Sequence, residues 1–172
     1  MSRTRLLSVA DAPVLAELIR TNRAFLDPWE PVRDESYFTV EGQVRLAEAA
    51  MDALAAGLTN PRVILDDDGA VVGRINLNNI VRGPFQSASV GYWLAEAAGG
   101  RGLAGQAVAE IVDFAFTELG LHRLEAGTIP NNLRSQAVLA RNGFVRFGYA
   151  PRYLQIAGAY TDHILFQRLA DS

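Results

Sequence analysis

The sequence predicts a mixed α/β fold in which helices pack around one sheet. Several long segments carry apolar residues at helical spacing. Short apolar runs bounded by glycine, proline, asparagine or aspartate lie between them, as is typical of strands. The order is helices, a meander and then β-α-β-α-β-β. A length of 172 residues fits a single domain, so we expect residues 1–172 to form one.

The first half of the chain is predicted to supply the helices and the meander. Asp11 is expected to cap the first helix, with Pro13 tolerated in its first turn. The acidic run from Asp66 to Asp68 is interpreted as a solvated hairpin turn. In chain order, the predicted elements are a strand at 4–9, a helix after residue 11, a break at 22–33, a helix at 39–56 and a hairpin of strands 62–65 and 70–76.

The second half is predicted to place a long helix after a glycine-rich turn. Leu103 to Leu119 present one continuous apolar face, and Gly120 is expected to end this helix. His163 is expected to make a structural hydrogen bond in the closing sheet. The other predicted elements are strands at 87–94 and 122–129, a helix at 131–141 capped by Gly143, and strands at 144–149 and 160–166.

Composition narrows the classes of function. A net charge of −3 and a pI near 5.4 argue against direct binding of nucleic acid. The chain has no cysteine and two histidines, which argues against a metal site. No segment reaches membrane-spanning length, and the start lacks an apolar signal core. We therefore expect a cytoplasmic, metal-free protein that does not bind membranes.

The turn after the strand at 87–94 carries the main functional signal. Four glycines lie within the seven residues from Gly99 to Gly105, directly before a long helix. Glycine lets the backbone approach a ligand closely, and a helix start offers unpaired N–H groups and a positive dipole end. Such a turn is typical of a site that binds phosphates through backbone atoms.

Three interpretations of this turn are open. The spacing Gly100-x-Gly102-x-x-Gly105 spells a dinucleotide-binding fingerprint, with Glu125 at a suitable distance. The loop from Ala95 to Gly99 separates strand from glycines, however, and too little chain follows for a doubly wound sheet. The glycines can also form a tight turn without a ligand. The third interpretation is a phosphate site of another family.

Two motifs identify that family. Gly99-Gly-Arg-Gly102-Leu-Ala104 resembles the signature Arg/Gln-x-x-Gly-x-Gly/Ala of the GNAT superfamily of N-acetyltransferases, with Gly99 departing from Arg or Gln. Ile129 to Phe144 resembles a second block, Pro-x-Asn-x-x-Ser, Val-Leu and Gly-Phe, in the branch of ribosomal-protein N-acetyltransferases that includes RimJ and RimL. Asn22 to Arg33 and Asn79 to Phe85 are most similar to RimJ.

The resemblance implies a fold and a set of residues that bind acetyl-CoA. The fold is a mostly antiparallel, twisted mixed sheet with a splayed parallel pair, flanked by about four helices. Trp93 also fits a core position, and Asn132 also fits a helix cap. The implied cofactor-binding residues are Trp93, Leu94, Gly99, Gly100, Arg101, Gly102, Leu103, Ala104, Gly105 and Asn132.

The resemblance also implies candidate catalytic residues. Ser135 matches the serine that protonates the leaving thiolate, although a serine in a first helical turn is often a local hydrogen-bonding residue. Glu30, between Pro28 and Pro31, is a candidate base; it can instead contact the incoming ammonium or be a solvated loop acid. Glu125 is the other acid to consider, because Arg152 occupies the position where RimJ-like sequences often have an acid.

The implied function is acetyl transfer from acetyl-CoA to a primary amine in a ternary complex. The acceptor is expected to be a protein N-terminus, such as that of a ribosomal protein, because the acceptor-side segment resembles RimJ. A small amine (an aminoglycoside, polyamine or amino-acid derivative) is the alternative, followed by a non-catalytic acyl-CoA-binding regulator. A homodimer is expected from family habit.

Overall fold

A computed structural model describes residues 2–171 as one seven-stranded sheet with helices on both faces. The strand order is β1-β2-β3-β4-β5-β7-β6, and every neighbouring pair is antiparallel except β4 and β5. The strands are β1 (Thr4–Leu6), β2 (Asn60–Leu65), β3 (Val71–Val81), β4 (Ser87–Leu94), β5 (Arg123–Thr128), β6 (Val145–Ile156) and β7 (Ala159–Leu169). The helices are α1 (Ala12–Thr21), α2 (Arg23–Leu26), α3 (Val40–Ala55), α4 (Leu103–Thr117) and α5 (Leu133–Arg141).

Helices α4 and α5 cover one face of the sheet, while α1 and α3 cover the other over β1–β3. The apolar stripe of α4 is buried against alternate residues of the strands, including Ile75, Val90 and Leu124. A smaller cluster on the opposite face contains Leu7, Leu15, Ala47 and Val63. The strand alternation therefore assigns each side chain of β4 to one of two different environments.

The parallel pair at the centre of the sheet is short. Three residues of β4, Ser87–Ser89, pair with Arg123–Glu125 of β5. Within residues 2–171, the rest of β4 pairs with β3 and the rest of β5 pairs with β7. The two strands thus diverge toward their C-terminal ends, and the predicted splay is confirmed.

Two strands, β3 and β6, are longer than the sequence predicts. β3 continues to Val81 through a bulge after Asn78, where Asn79 has a φ of 52°. β6 continues past Pro151 to Ile156 through a bulge between Ala150 and Leu154. Proline is tolerated there because β6 is an edge strand.

The structure adds detail to three local predictions. The first helix ends at Thr21 as predicted, but the segment after it forms α2 and a short 3-10 helix at Asp27–Trp29. Asp11 is the N-cap residue of α1, as expected, although its carboxylate accepts from the backbone of Ser8 and from Arg5 and makes no capping hydrogen bond to α1. The helix predicted from residue 131 begins at Leu133, because Asn132 is its N-cap. The hydrogen bond predicted for His163 is confirmed, since its Nδ1 lies 3.1 Å from the carbonyl oxygen of Thr161.

Candidate active site

The glycine turn forms an open backbone cradle at the start of α4. Gly100 and Gly102 both have a φ of 76°, a left-handed conformation that favours glycine. Gly102 is the N-cap of α4 and has no side chain with which to cap it. A Cβ built on Gly100 would meet no atom within 4 Å. The first N–H groups of a helix have no intrahelical acceptor, so this turn and helix start fit a pyrophosphate.

The first residue of the motif does not need to be glycine for its conformation. Gly99 has a φ of −68°, and its N–H donates to the carbonyl of Glu96 at 3.0 Å. A Cβ at this position would lie 3.1 Å from that carbonyl oxygen, so a side chain is only slightly crowded. Leu103 is buried in the core, whereas Ala104 and Gly105 are partly exposed in the first turn.

The acidic hairpin turn contacts this cradle. Asp67 accepts from Arg101 at 2.9 Å and from Arg3 at 2.5 Å, and these two guanidinium groups lower the pKa of Asp67. The predicted hairpin turn is present and the Asp67 side chain is 61% exposed, so these two ion pairs are an addition to the expected solvated turn. No local pattern signals this contact, because the partners are separated by 34 residues.

The last two residues of β4, Trp93 and Leu94, border the gap between β4 and β5 and place their side chains on opposite faces of the sheet. The side chain of Trp93 packs against the cluster that contains Leu15 and Val63, so the core interpretation of that side chain is supported. Leu94 lies on the other face, against the α4 cluster. Gly73 of β3 allows this arrangement, since a Cβ there would lie 2.2 Å from the carbonyl oxygen of Trp93. The backbone of both residues borders the gap.

Ser135 has a phenolic partner that the sequence did not indicate. Its Oγ lies 2.8 Å from the hydroxyl of Tyr92, which burial keeps protonated by raising its pKa to about 12. The alternation of side chains along β4 is sufficient to predict that Tyr92 shares a face with Val90 and Leu94, but it does not predict the contact with Ser135. Asn132 accepts from the N–H of Ser135 at 3.2 Å and so caps α5, as the alternative interpretation expected. Its Nδ2 group is still able to donate to a ligand.

Glu30 lies between α2 and the tip of the β6–β7 hairpin. Its backbone carbonyl accepts from Ala157 at 2.9 Å, and its side chain is only 20% exposed. Burial raises the pKa of the Glu30 carboxyl, while Arg33, 3.9 Å away, opposes that shift. The interpretation as a solvated loop acid was therefore wrong, and a partly desolvated carboxylate can attract an ammonium or accept a proton.

The other acid that the sequence offered is engaged elsewhere. Glu125 accepts from Arg123 at 2.6 Å on the same face of β5. Near the position of Arg152, Asp162 accepts from the backbone of Arg152 at 2.9 Å and from the hydroxyl of Tyr149. Asp162 thus holds the β6 bulge, and these contacts and the neighbouring Arg152 lower the pKa of Asp162.

Among residues 2–171, no three His, Asp or Glu side chains lie together in a group that could hold a metal ion. Within the same residues, no helix is both long enough and apolar enough to cross a membrane.

The chain is similar to known acetyltransferases in both sequence and structure. A family model described as an acetyltransferase (GNAT) domain matches residues 3–145. The [ribosomal protein uS5]-alanine N-acetyltransferase of Escherichia coli is 38% identical over 167 residues, which span 94% of this chain and 84% of that protein. A ribosomal-protein-S5-alanine acetyltransferase from Vibrio fischeri superposes with a TM-score of 0.93 at 36% identity, covering 98% and 93% of the two chains. RimJ of Mycobacterium smegmatis, in complex with CoA-disulfide, superposes with a TM-score of 0.94 at 34% identity, covering 97% and 81%.

Proposed function

This chain belongs to the GNAT acetyltransferase family and is an acetyl-CoA-dependent N-acetyltransferase, and on that premise we propose that it acetylates the N-terminal α-amino group of a ribosomal protein. The observation that carries the proposal is likeness along almost the whole chain to enzymes whose names state this acceptor. The likeness extends beyond the cofactor half into the segment around Glu30. A fold alone would not identify an acceptor.

The cradle and the gap suit the two ends of acetyl-CoA. The N–H groups from Gly100 to Gly105 would hold the pyrophosphate, and Arg101 would add a positive charge beside it. The free backbone edge of β4 near Trp93 and Leu94 would bind the pantetheine arm, with the Nδ2 of Asn132 as a further donor. An N–H group of this edge would polarise the carbonyl of the thioester, which is the activated group that acetyl-CoA supplies.

Two residues would handle the protons. Ser135 would donate its hydroxyl proton to the leaving thiolate, Tyr92, whose hydroxyl lies 2.8 Å away, would donate its proton to the Ser135 oxygen, and a proton from solvent would then restore the hydroxyl of Tyr92. Glu30 would attract the ammonium form of the acceptor and accept a proton from it. An α-amino group has a pKa of about 7.7–8.0, so an appreciable neutral fraction exists near neutral pH and the demand on the base is modest.

The test measures thiol release from acetyl-CoA with an Ala-initiated peptide, a Ser-initiated peptide and a panel of small amines. We expect turnover on the peptides, with mass spectrometry locating the acetyl group on the α-nitrogen. Ser135→Ala is the matched control for a catalysed reaction, since it should bind acetyl-CoA but turn over slowly. Turnover on small amines alone would refute the proposed acceptor, and binding of acetyl-CoA without any turnover would favour a regulator.

A further inference from the structure

Arg74 is a partly buried guanidinium on the sheet face that also carries the Trp93 side chain. It lies on β3, directly opposite Trp93 in the β3–β4 register, and Asn76 is opposite Gly91. Because residues opposite each other share a face, Arg74 and Trp93 both face the side covered by α1 and α3. This is also the side on which Glu30 lies, and it is opposite to the side that carries Ser135 and Tyr92.

The hydrogen-bonding capacity of Arg74 is largely unused inside the protein. A guanidinium has five N–H donors. Among residues 2–171, the one acceptor recorded for Arg74 is Oδ1 of Asn76, 3.1 Å from its Nη2, and its buried Nε has no partner. No carboxylate of these residues lies within 4.0 Å of it. A partly buried cation without an ion pair is costly, so a ligand group that accepts from Arg74 would stabilise it.

A carboxylate lies near Arg74 without touching it. Glu30 and Arg74 affect each other's pKa through their charges, yet Glu30 is paired at 3.9 Å with Arg33 instead. Tyr37 lies in the same cluster, with the guanidinium carbon of Arg33 4.7 Å from its ring centroid. The acceptor side of the gap therefore carries separate positive and negative groups rather than one closed ion pair.

We propose that Arg74 is a specificity-determining residue that donates a hydrogen bond to the carbonyl oxygen of the acceptor's first residue, while Glu30 binds its α-amino group. The inference rests on the proposed function. In an N-terminal residue, the amine and the carbonyl oxygen are separated by a single tetrahedral carbon and the carbonyl carbon. One carboxylate and one guanidinium match that pattern of charge. A polyamine or a lysine side chain has no carbonyl near its amine, so it would gain nothing from Arg74.

The test compares two peptides that differ by one atom. One begins with Ala and an ordinary amide; the other has a thioamide at the first peptide bond, whose sulfur is a weak acceptor. We expect wild type to lose about tenfold or more in kcat/KM on the thioamide, the range for a hydrogen bond to a charged donor. Arg74→Met should lose a similar factor on the ordinary peptide and show little further loss on the thioamide, because the two changes remove the same bond.

Arg62→Lys is the matched control. Arg62 is also a partly buried arginine of the sheet, but it stacks on Phe114 of α4 at 4.6 Å, on the opposite face. The Arg62→Lys variant should retain the full preference of wild type for the ordinary amide over the thioamide. Acetyl-CoA binding and the unfolding midpoint of Arg74→Met report whether that variant is folded, and Arg74→Lys, which keeps the charge, provides a second variant.

The outcomes separate the two proposals. If wild type acetylates neither peptide, the proposed acceptor is wrong. If wild type acetylates the peptide but Arg74→Met and Arg74→Lys keep the same amide preference as wild type, Arg74 does not contact that oxygen and the inference is overturned. A loss on both peptides by the same factor would have the same meaning, since it would show an effect of Arg74 that is independent of the carbonyl.

Discussion

Replacing Gly102 with alanine tests whether the cradle has the conformation described above. Gly102 has a φ of 76°, and its added Cβ would lie 3.7 Å from Nε2 of Gln106, which is an ordinary contact. The cost is therefore conformational, about 1–2 kcal/mol for a non-glycine residue in the left-handed region. If the turn keeps its shape, the free energy of unfolding falls by that amount, which lowers Tm by roughly 2–8 °C for a chain of this size.

The same cost can appear in cofactor affinity instead. If the turn relaxes in the free protein, acetyl-CoA must restore it, and Kd rises by roughly 5- to 30-fold. Calorimetry of unfolding and titration with acetyl-CoA measure the two together. Gly57→Ala is the matched control, because Gly57 has a φ of 71° and open space around it but lies at the end of α3, so it should lose stability without losing affinity. If Gly102→Ala changed neither quantity, Gly102 would not have a left-handed conformation and the cradle would be wrongly described.

Three further perturbations test the site. Ser135→Ala should lower kcat by about a hundredfold with little change in acetyl-CoA affinity, and Tyr92→Phe should lower it less; equal activity of all three proteins would exclude proton transfer by this pair. Burial raises the pKa of Glu30 in the folded state, so the contribution of Glu30 to stability is present in acid and is lost as pH rises through the folded pKa. The Glu30→Gln variant should therefore become more stable relative to wild type from acidic to neutral pH, and unfolding measured at several pH values would show this. Asp67→Asn removes a negative charge beside Arg101 and should tighten acetyl-CoA binding a few-fold at low salt; a titration that shows weaker binding, or an unchanged effect at high salt, would contradict this electrostatic explanation.

The sequence predicted those features that depend on local patterns. β4 was predicted at 87–94, as observed, because it is bounded by a Gly-Pro turn and the glycine loop. The helix after the glycines was predicted because its apolar period is long and strong, although it ends at Thr117 and not at Gly120. The predicted strand at 144–149 is shorter than β6, which continues past Pro151 because the bulge of an edge strand accommodates a residue that cannot donate to the ladder.

The features that the sequence could not predict are contacts between distant segments. The hydroxyl pair of Tyr92 and Ser135 joins residues 43 apart, and neither local pattern specifies the other. The backbone contact between Glu30 and the hairpin tip at Ala157 joins segments far apart in the chain, and it depends on the length of β6 and β7. The open donors of Arg74 depend on which side chains pack around it, and no local pattern specifies those neighbours.

The short parallel pair between β4 and β5 links the stability of the sheet to the binding of a ligand. The sheet consists of two antiparallel halves that share three residue pairs along their common seam. A ligand that lies along the open part of the seam acts as a surrogate strand, supplying hydrogen bonds that the chain itself leaves unmade. Any molecule that binds only the folded state stabilises it in proportion to the logarithm of its concentration. Acetyl-CoA bound along the seam would therefore raise the free energy of unfolding of the central strands, so the enzyme would be more resistant to unfolding with its cofactor than without it.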